Sequence, residues 1–107
     1  MKVSAEDVVM NLIVNGGDAR SKAIEALRSA KTGDFESARK LMEESHKSIQ
    51  AAHQFQTTLL HGEMDEDTPD PVEVDLLMVH GQDHLMNALT VQDIVTEMID
   101  ILKMKKC

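Results

Sequence analysis

One stretch constrains this chain more than any other. From about Val72 to Lys105 the residues follow a helical pattern, and projection at about 100° per residue spreads its apolar side chains over roughly two-thirds of the circumference. Leu76, Leu77, Met78, Leu85, Ala88, Leu89, Val91, Ile94, Val95, Met98, Ile99, Ile101 and Leu102 form that arc. A helix on the surface of a small domain needs an apolar stripe little more than a quarter of the way round. This one is therefore expected to bury two faces, one inside its own bundle and one against another molecule. His80, Asp83, His84 and Asn87 project within the same arc. Polar groups on a face meant for burial must be hydrogen-bonded, metal-bound or functional, because an unpaired one costs about 1–3 kcal/mol. The run His80-Gly81-Gln82-Asp83-His84 is where chemistry is to be sought.

Two more helices precede it. Ser4 with Asp7 three residues on gives a capping-box-like start to helix 1, which runs to about Ala30 with Val8, Val9, Leu12, Ile13, Ala19, Ala23, Ala26, Leu27 and Ala30 on its apolar side. Gly16-Gly17 interrupts it at a cost of about 1 kcal/mol per glycine relative to alanine. The pair marks either a kink or the close approach of a helix or ligand. Lys31-Thr32-Gly33-Asp34 closes helix 1 and opens helix 2, with Gly33 in the left-handed cap position and Asp34 as N-cap. Helix 2 extends to about His61, with Gly62 as its cap; it turns Phe35, Ala38, Leu41, Met42, Ile49, Ala52, Phe55 and Leu59 inward and Glu36, Arg39, Lys40, Glu43, Glu44 and Lys47 outward. The acidic segment 62–71 carries both prolines and reads as an exposed connection, with Pro71 in the first turn of helix 3. The pattern predicts an all-α fold, an antiparallel three-helix bundle, with residues 1–107 as a single domain.

Composition narrows the partners. With 19 acidic and 11 basic residues the chain carries a formal charge of −8, which argues against nucleic acid and anionic membranes and for a neutral or basic protein. The core must be built from aliphatic residues, alanine and eight methionines, since the only aromatic rings besides histidine are Phe35 and Phe55. The lone cysteine, Cys107, cannot form a disulfide within the chain, so a reducing compartment is expected. With no secretory pattern and no run of about 18 apolar residues, a soluble, cytoplasmic protein is the expectation.

Candidate chemistry thins quickly. Glu43-x-x-His46 has the spacing of di-iron bundles, but that chemistry needs the motif twice and further inward carboxylates, so a solvated face is expected. His80 and His84 at i and i+4 could hold zinc, yet Gly81 stands where a zincin has its glutamate. His53, on the expected inner side of helix 2 near Gln56, is either a hydrogen-bonded core histidine or a supporting group for the histidine cluster. No nucleophile elbow, glycine-rich phosphate loop or CxxC pair is present. What remains is the imidazole of His80 itself: neutral and nucleophilic near pH 7, it could carry a phosphoryl group. A buried, hydrogen-bonded histidine pair fits the spacing as well.

Val79-His80-Gly81-Gln82-Asp83-His84-Leu85-Met86 resembles the lactose/cellobiose-type IIA component of the bacterial sugar phosphotransferase system. So do Asn15-Gly16-Gly17-Asp18-Ala19-Arg20-Ser21, Gly33-Asp34-Phe35 and Ala52-His53-Gln54-Phe55-Gln56-Thr57, and together they span nearly the whole chain. The resemblance implies a homotrimer of three-helix bundles. It also implies that phosphorylated HPr passes its phosphoryl group to a histidine here, which hands it to a cysteine of the IIB component for the disaccharide entering through the membrane-embedded IIC. Carried onto this sequence, His80 would be the phosphorylated residue. Asp83 would be the ligand of a divalent ion such as Mg²⁺ at the subunit interface, and His84, Gln82, His53 and Gln56 would support the site. The sugar stays open among cellobiose-like, chitobiose-like and lactose substrates. Two rival readings are a histidine phosphotransfer domain of a two-component relay and a trimeric helical scaffold without catalysis. The first would normally show a lysine and a glycine soon after the histidine, where Asp83, His84 and Leu85 stand.

Overall fold

A computed structural model describes the backbone of residues 5–64 and 75–105 and the side chains of 6–57 and 75–105. Three helices make up the described chain: α1 (Ala5–Lys31), α2 (Phe35–Met64) and α3 (Leu76–Lys105). They run up, down and up, since Ser45 of α2 bonds Ala19 of α1 and Gln92 of α3 while Gln56 bonds Gln82. Among the described residues no helix is long and apolar enough to cross a membrane.

The α1–α2 turn follows from four residues. Gly33 has φ +87°, a left-handed conformation that a Cβ would strain. That geometry lets the Gly33 amide donate to the Ala30 carbonyl at 3.0 Å and the Asp34 amide to the Ser29 carbonyl at 3.0 Å, so two orphan carbonyls at the end of α1 are satisfied. Asp34 then opens α2 by accepting from the Ser37 amide at 3.1 Å. Both expected caps are therefore present in one tight reversal.

Two boundaries differ from the sequence expectation. Asp75 Oδ1 accepts from the Met78 amide at 2.8 Å, so α3 begins at Leu76 rather than near Val72. A carboxylate that satisfies an orphan amide outweighs the apolar periodicity upstream. At the other end of the connection α2 continues to Met64, which leaves Gly62 inside the helix instead of capping it; a single glycine weakens a helix by about 1 kcal/mol without ending it. Ser4, Pro71 and Val72 lie outside the described residues, as do the side chains of Leu59 and His61.

Helix α1 is the packing centre. It meets both neighbours along its length, while α2 and α3 barely touch each other. Its buried face is a ladder of small residues, Ala19, Ala23, Ala26 and Ala30, below the larger Val8, Val9 and Leu12. Alanines let helix axes approach closely, and the neighbours reciprocate with Ala38, Ser45 and Ala52 on α2 and Gly81 and Ala88 on α3. Two apolar clusters result. The upper one joins Val8, Val9 and Leu12 to Ile49, Ala52, Met78, Leu85 and Ala88; the lower joins Ala23, Ala26 and Ala30 to Ala38, Met42, Val95 and Ile99. Between them a polar strap crosses the bundle. Gln92 Nε2 donates to Ser45 Oγ at 3.0 Å, and that hydroxyl donates to the Ala19 carbonyl at 2.7 Å. All three groups are buried and satisfied, so the strap resists sliding of one helix against another.

The wide arc of α3 divides as its breadth demanded. Met78, Gly81, Leu85, Ala88, Gln92, Val95 and Ile99 are buried. Leu76, Val79, Met86, Ile94, Ile101 and Met104 are each more than half exposed in the single chain. An apolar stripe of that length left to water is a surface that still seeks a partner.

Candidate functional site

The upper half of α3 carries three side-chain pairs. His80 and His84, one turn apart, bring their Nε2 atoms to 3.1 Å with the rings edge to face. Asn87 Nδ2 donates to Asp83 Oδ1 at 3.0 Å. At about 100° per residue these four residues share one face of α3. Gln82 points elsewhere: its Oε1 accepts from Gln56 Nε2 at 2.8 Å and ties α3 to α2.

Burial separates these groups. His80, Asp83 and Asn87 are exposed and His84 is half-buried, so this side of the arc is open in the single chain. The buried side of the same turn is Gly81, which packs on Val9 of α1. His53, expected on the inner side of α2, is exposed instead, because α2 turns Ile49, Ala52 and Phe55 toward the core and His53, about 100° round the helix from Ala52, lies beyond the edge of that face. Of the sequence candidates, the fold joins His80 with His84 and Gln56 with Gln82, and leaves His53 apart from both pairs.

A histidine pair 3.1 Å apart holds one hydrogen between two ring nitrogens. When His84 Nε2 donates, the Nε2 lone pair of His80 faces that donor and its Nδ1 carries the other hydrogen. Such an imidazole is a neutral nucleophile with a hydrogen-bond donor beside the attacking atom. An oxyanion bonded to His80 Nε2 would meet the same donor, and an exposed position leaves its remaining charge in water.

Other clusters fit less well. Glu43 accepts from Arg39 at 2.6 Å, and His46 Nδ1 lies 2.6 Å from the Met42 carbonyl, so this spacing is a solvated surface as expected. Among the described residues no group of three or more His, Cys, Asp or Glu could hold a metal ion within one chain. A cleft of about 230 Å³ lies between α2 and α3 at the opposite end of the bundle, over Phe35, Ala38, Met42 and Ile99, and takes in none of the histidine pair.

Three residues important to the site were not singled out for it by sequence. Asn87 was visible on the arc, and its i,i+4 spacing from Asp83 carried the signal for the bond. Gly81 packs between helices, which no local pattern reveals, whereas for Gly16 the close approach of a helix was one of the two readings its sequence offered.

Comparison with known proteins covers nearly the whole chain. The family model described as "PTS system, Lactose/Cellobiose specific IIA subunit" matches residues 7–103. The chain is 42% identical over 101 residues to the lichenan-specific phosphotransferase enzyme IIA component of Bacillus subtilis, covering 94% of this chain and 89% of that protein. The crystal structure of the cellobiose-specific enzyme IIA from Bacillus anthracis superposes with a TM-score of 0.85 at 39% identity, covering 95% of this chain and 92% of that one. The IIA(Chitobiose) chain, solved in solution in complex with HPr from the N,N'-diacetylchitobiose branch of the Escherichia coli phosphotransferase system, gives a TM-score of 0.81 at 39% identity, covering 99% of this chain and 100% of that one.

Proposed function

Since the chain belongs to the lactose/cellobiose-specific IIA family of the sugar phosphotransferase system, a family of phosphotransferase components with a phosphohistidine intermediate, we propose that His80 is the residue that carries the phosphoryl group. HPr is the proposed donor and the IIB component the acceptor, in the cytoplasm, on behalf of a disaccharide entering through IIC. The observation that carries the reading is the His80–His84 pair, with Nε2 atoms 3.1 Å apart on an exposed face of α3.

The step is a displacement at phosphorus. The Nε2 lone pair of His80 forms the new N–P bond as the bond to the donor's leaving atom breaks. The hydrogen on Nδ1 stays in place, so the product ring is an N-phosphoimidazolium whose positive charge sits beside the phosphoryl oxygens, and His84 turns its Nε2–H from the His80 nitrogen to one of those oxygens. A charge-assisted bond of this kind contributes about 1.5–3 kcal/mol. It is worth more to the phosphorylated state than to the free one, so it favours acceptance. Return of the phosphoryl group to a thiolate reverses the same motions. Gln82 and Gln56 act at one remove, by holding the rotation of α3 through their 2.8 Å bond.

Assembly as a homotrimer completes the reading. Leu76, Val79, Met86, Ile94, Ile101 and Met104 offer a long apolar stripe on α3, and Asp83 lies on the same exposed side. Three copies around an axis would bring three carboxylates together. Each keeps one oxygen bonded to Asn87 and one without that bond, and hard carboxylate oxygens suit Mg²⁺ or a similar divalent ion. Asp83 from each chain would hold the ion, whose chemistry there is neutralisation of converging charge. The sugars of its relatives point to cellobiose-like or chitobiose-like substrates, with lactose within the family's range.

Purified chain incubated with phosphoenolpyruvate, Enzyme I and HPr should take up one phosphoryl group per subunit as an acid-labile, base-stable adduct, and lose it to IIB. Labelling by a sensor kinase in place of HPr would favour the two-component reading, and absence of any label would leave the scaffold.

A further inference from the structure

We propose that Gly16 and Gly81 are positioning residues for phosphoryl transfer, which hold the His80–His84 turn of α3 in register by letting the backbones of α1 and α3 close on each other. The proposal rests on His80 being the acceptor. Gly16 is buried in the middle of α1, and a Cβ there would stand 3.1 Å from both the carbonyl carbon and the carbonyl oxygen of His84 and 3.3 Å from the amide nitrogen of Leu85. Those are backbone atoms within a helix, which cannot rotate aside. Facing it, a Cβ at Gly81 would stand 2.9 Å from Val9 Cγ1 and 3.3 Å from the Val9 carbonyl oxygen. The two contacts bracket the histidine pair: Gly81 follows His80 in sequence, and Gly16 presses on the peptide of His84.

The neighbouring Gly17 supplies the contrast, because a Cβ there meets nothing within 4 Å. Of the two glycines that could have marked a kink or a close approach, Gly16 makes the approach. A methyl at Gly16 pushes on the His84 end of the turn only. Further along, α3 is held by Leu85 and Ala88 in the core and by the Gln92–Ser45 bond, and Gln82 is held by Gln56. The turn must therefore bend instead of translating, and bending changes the direction in which His80 and His84 present their nitrogens. A misplacement of about 1 Å at a reacting group costs on the order of 100-fold in rate, so a few tenths of an ångström suffices for a measurable loss.

Four variants test this: Gly16→Ala, Gly17→Ala, Gly81→Ala, and Gly81→Ala combined with Val9→Ala, which removes the Val9 Cγ1 that the new methyl would meet. Three quantities are read on each: the melting temperature, the ¹⁵N–¹H imidazole signals of the unphosphorylated protein, and the rate of labelling by phospho-HPr at saturating donor. Gly17→Ala should match the native rate and imidazole signals with an equal or higher melting temperature. Gly16→Ala should shift the His80 and His84 signals and slow saturated labelling by about 10-fold or more, with little change in the donor concentration giving half-maximal rate. The double variant should recover native-like signals and most of the rate lost in Gly81→Ala; if Gly16→Ala fails to fold, this comparison decides. Native imidazole signals and a native rate in Gly16→Ala, a slowed rate with unshifted imidazoles, or a double variant no better than Gly81→Ala would each overturn the proposal. Shifted imidazoles with the label on a residue other than His80 would instead overturn the acceptor assignment and, with it, a role of the glycines in transfer.

Discussion

His84 Nε2 stands 3.1 Å from His80 Nε2, with ring centroids 4.4 Å apart and planes at 90°. In the tautomer with the hydrogen on His84 Nε2, this contact sets a donor beside His80 Nε2. Replacement of His84 by phenylalanine removes the donor and should slow phosphoryl acceptance by about 10- to 100-fold, the range of one charge-assisted bond. His84→Gln keeps an N–H and should lose less. Stopped-time labelling at saturating phospho-HPr checks the order native, Gln, Phe; equal rates in native and Phe variants would leave His84 a bystander.

The polar strap across the bundle makes a prediction about pairs. Ser45→Ala strands Gln92 Nε2, which is buried, and should cost about 1–3 kcal/mol in urea denaturation. Gln92→Met leaves the Ser45 hydroxyl bonded to the Ala19 carbonyl and should cost less. The double variant should be more stable than Ser45→Ala alone, since no polar group is then left unpaired; additive losses would refute the strap as a coupled unit.

Asp34 gives a pH dependence with a definite sign. Its bond from Ser37 holds its carboxyl below the ordinary 3.8, with Lys40 adding to the effect. A folded-state value depressed below the unfolded one means that the cap's contribution is present above about pH 4 and fades as pH falls through the lowered value. Asp34→Ala should therefore melt lower than native at pH 7, and the gap between the two should close in acid below about pH 4. A gap that persists unchanged at the lowest pH would assign the loss to something other than the charged cap.

Much of this architecture was legible in the sequence, and the reasons are physical. Gly33-Asp34 announced its reversal because only glycine takes a left-handed φ without strain and aspartate both caps and charges a helix start. The excess breadth of the α3 arc is visible in the structure as Leu76, Ile94, Met98 and Ile101, apolar residues of that arc which the core of the single chain leaves exposed. Gly62 misled because a glycine near a polar stretch looks like a stop, whereas α2 runs through it to Met64. His53 misled because helical projection places a residue only to within about a quarter turn, and the facing helix decides which edge is wet. Ser45 and Gln92 were missed as core residues because polar side chains interrupt an apolar pattern, and only the fold shows that Gln92 is satisfied by Ser45 and Ser45 by the Ala19 carbonyl.

Asp83 should couple assembly to a divalent ion. Three carboxylates about 4 Å apart on a threefold axis repel by roughly 4 kcal/mol per pair at an effective dielectric of 20, or on the order of 12 kcal/mol for three pairs. A cation with oxygen ligands removes that cost. Sedimentation should show the native chain as a trimer that EDTA loosens, and Asp83→Leu as a trimer with or without it. A native chain equally trimeric and heat-stable after chelation at neutral pH would make the ion incidental.

The most direct test of the account is the site of phosphorylation. Each of His46, His53, His61, His80 and His84 is replaced by glutamine in turn, folding is verified by circular dichroism, and the variants are exposed to phospho-HPr. His80→Gln is expected to be folded and to take up no label, with the other four labelled and His84→Gln the slowest of them. Full labelling of a folded His80→Gln chain would contradict the assignment and move the phosphoryl group to another residue.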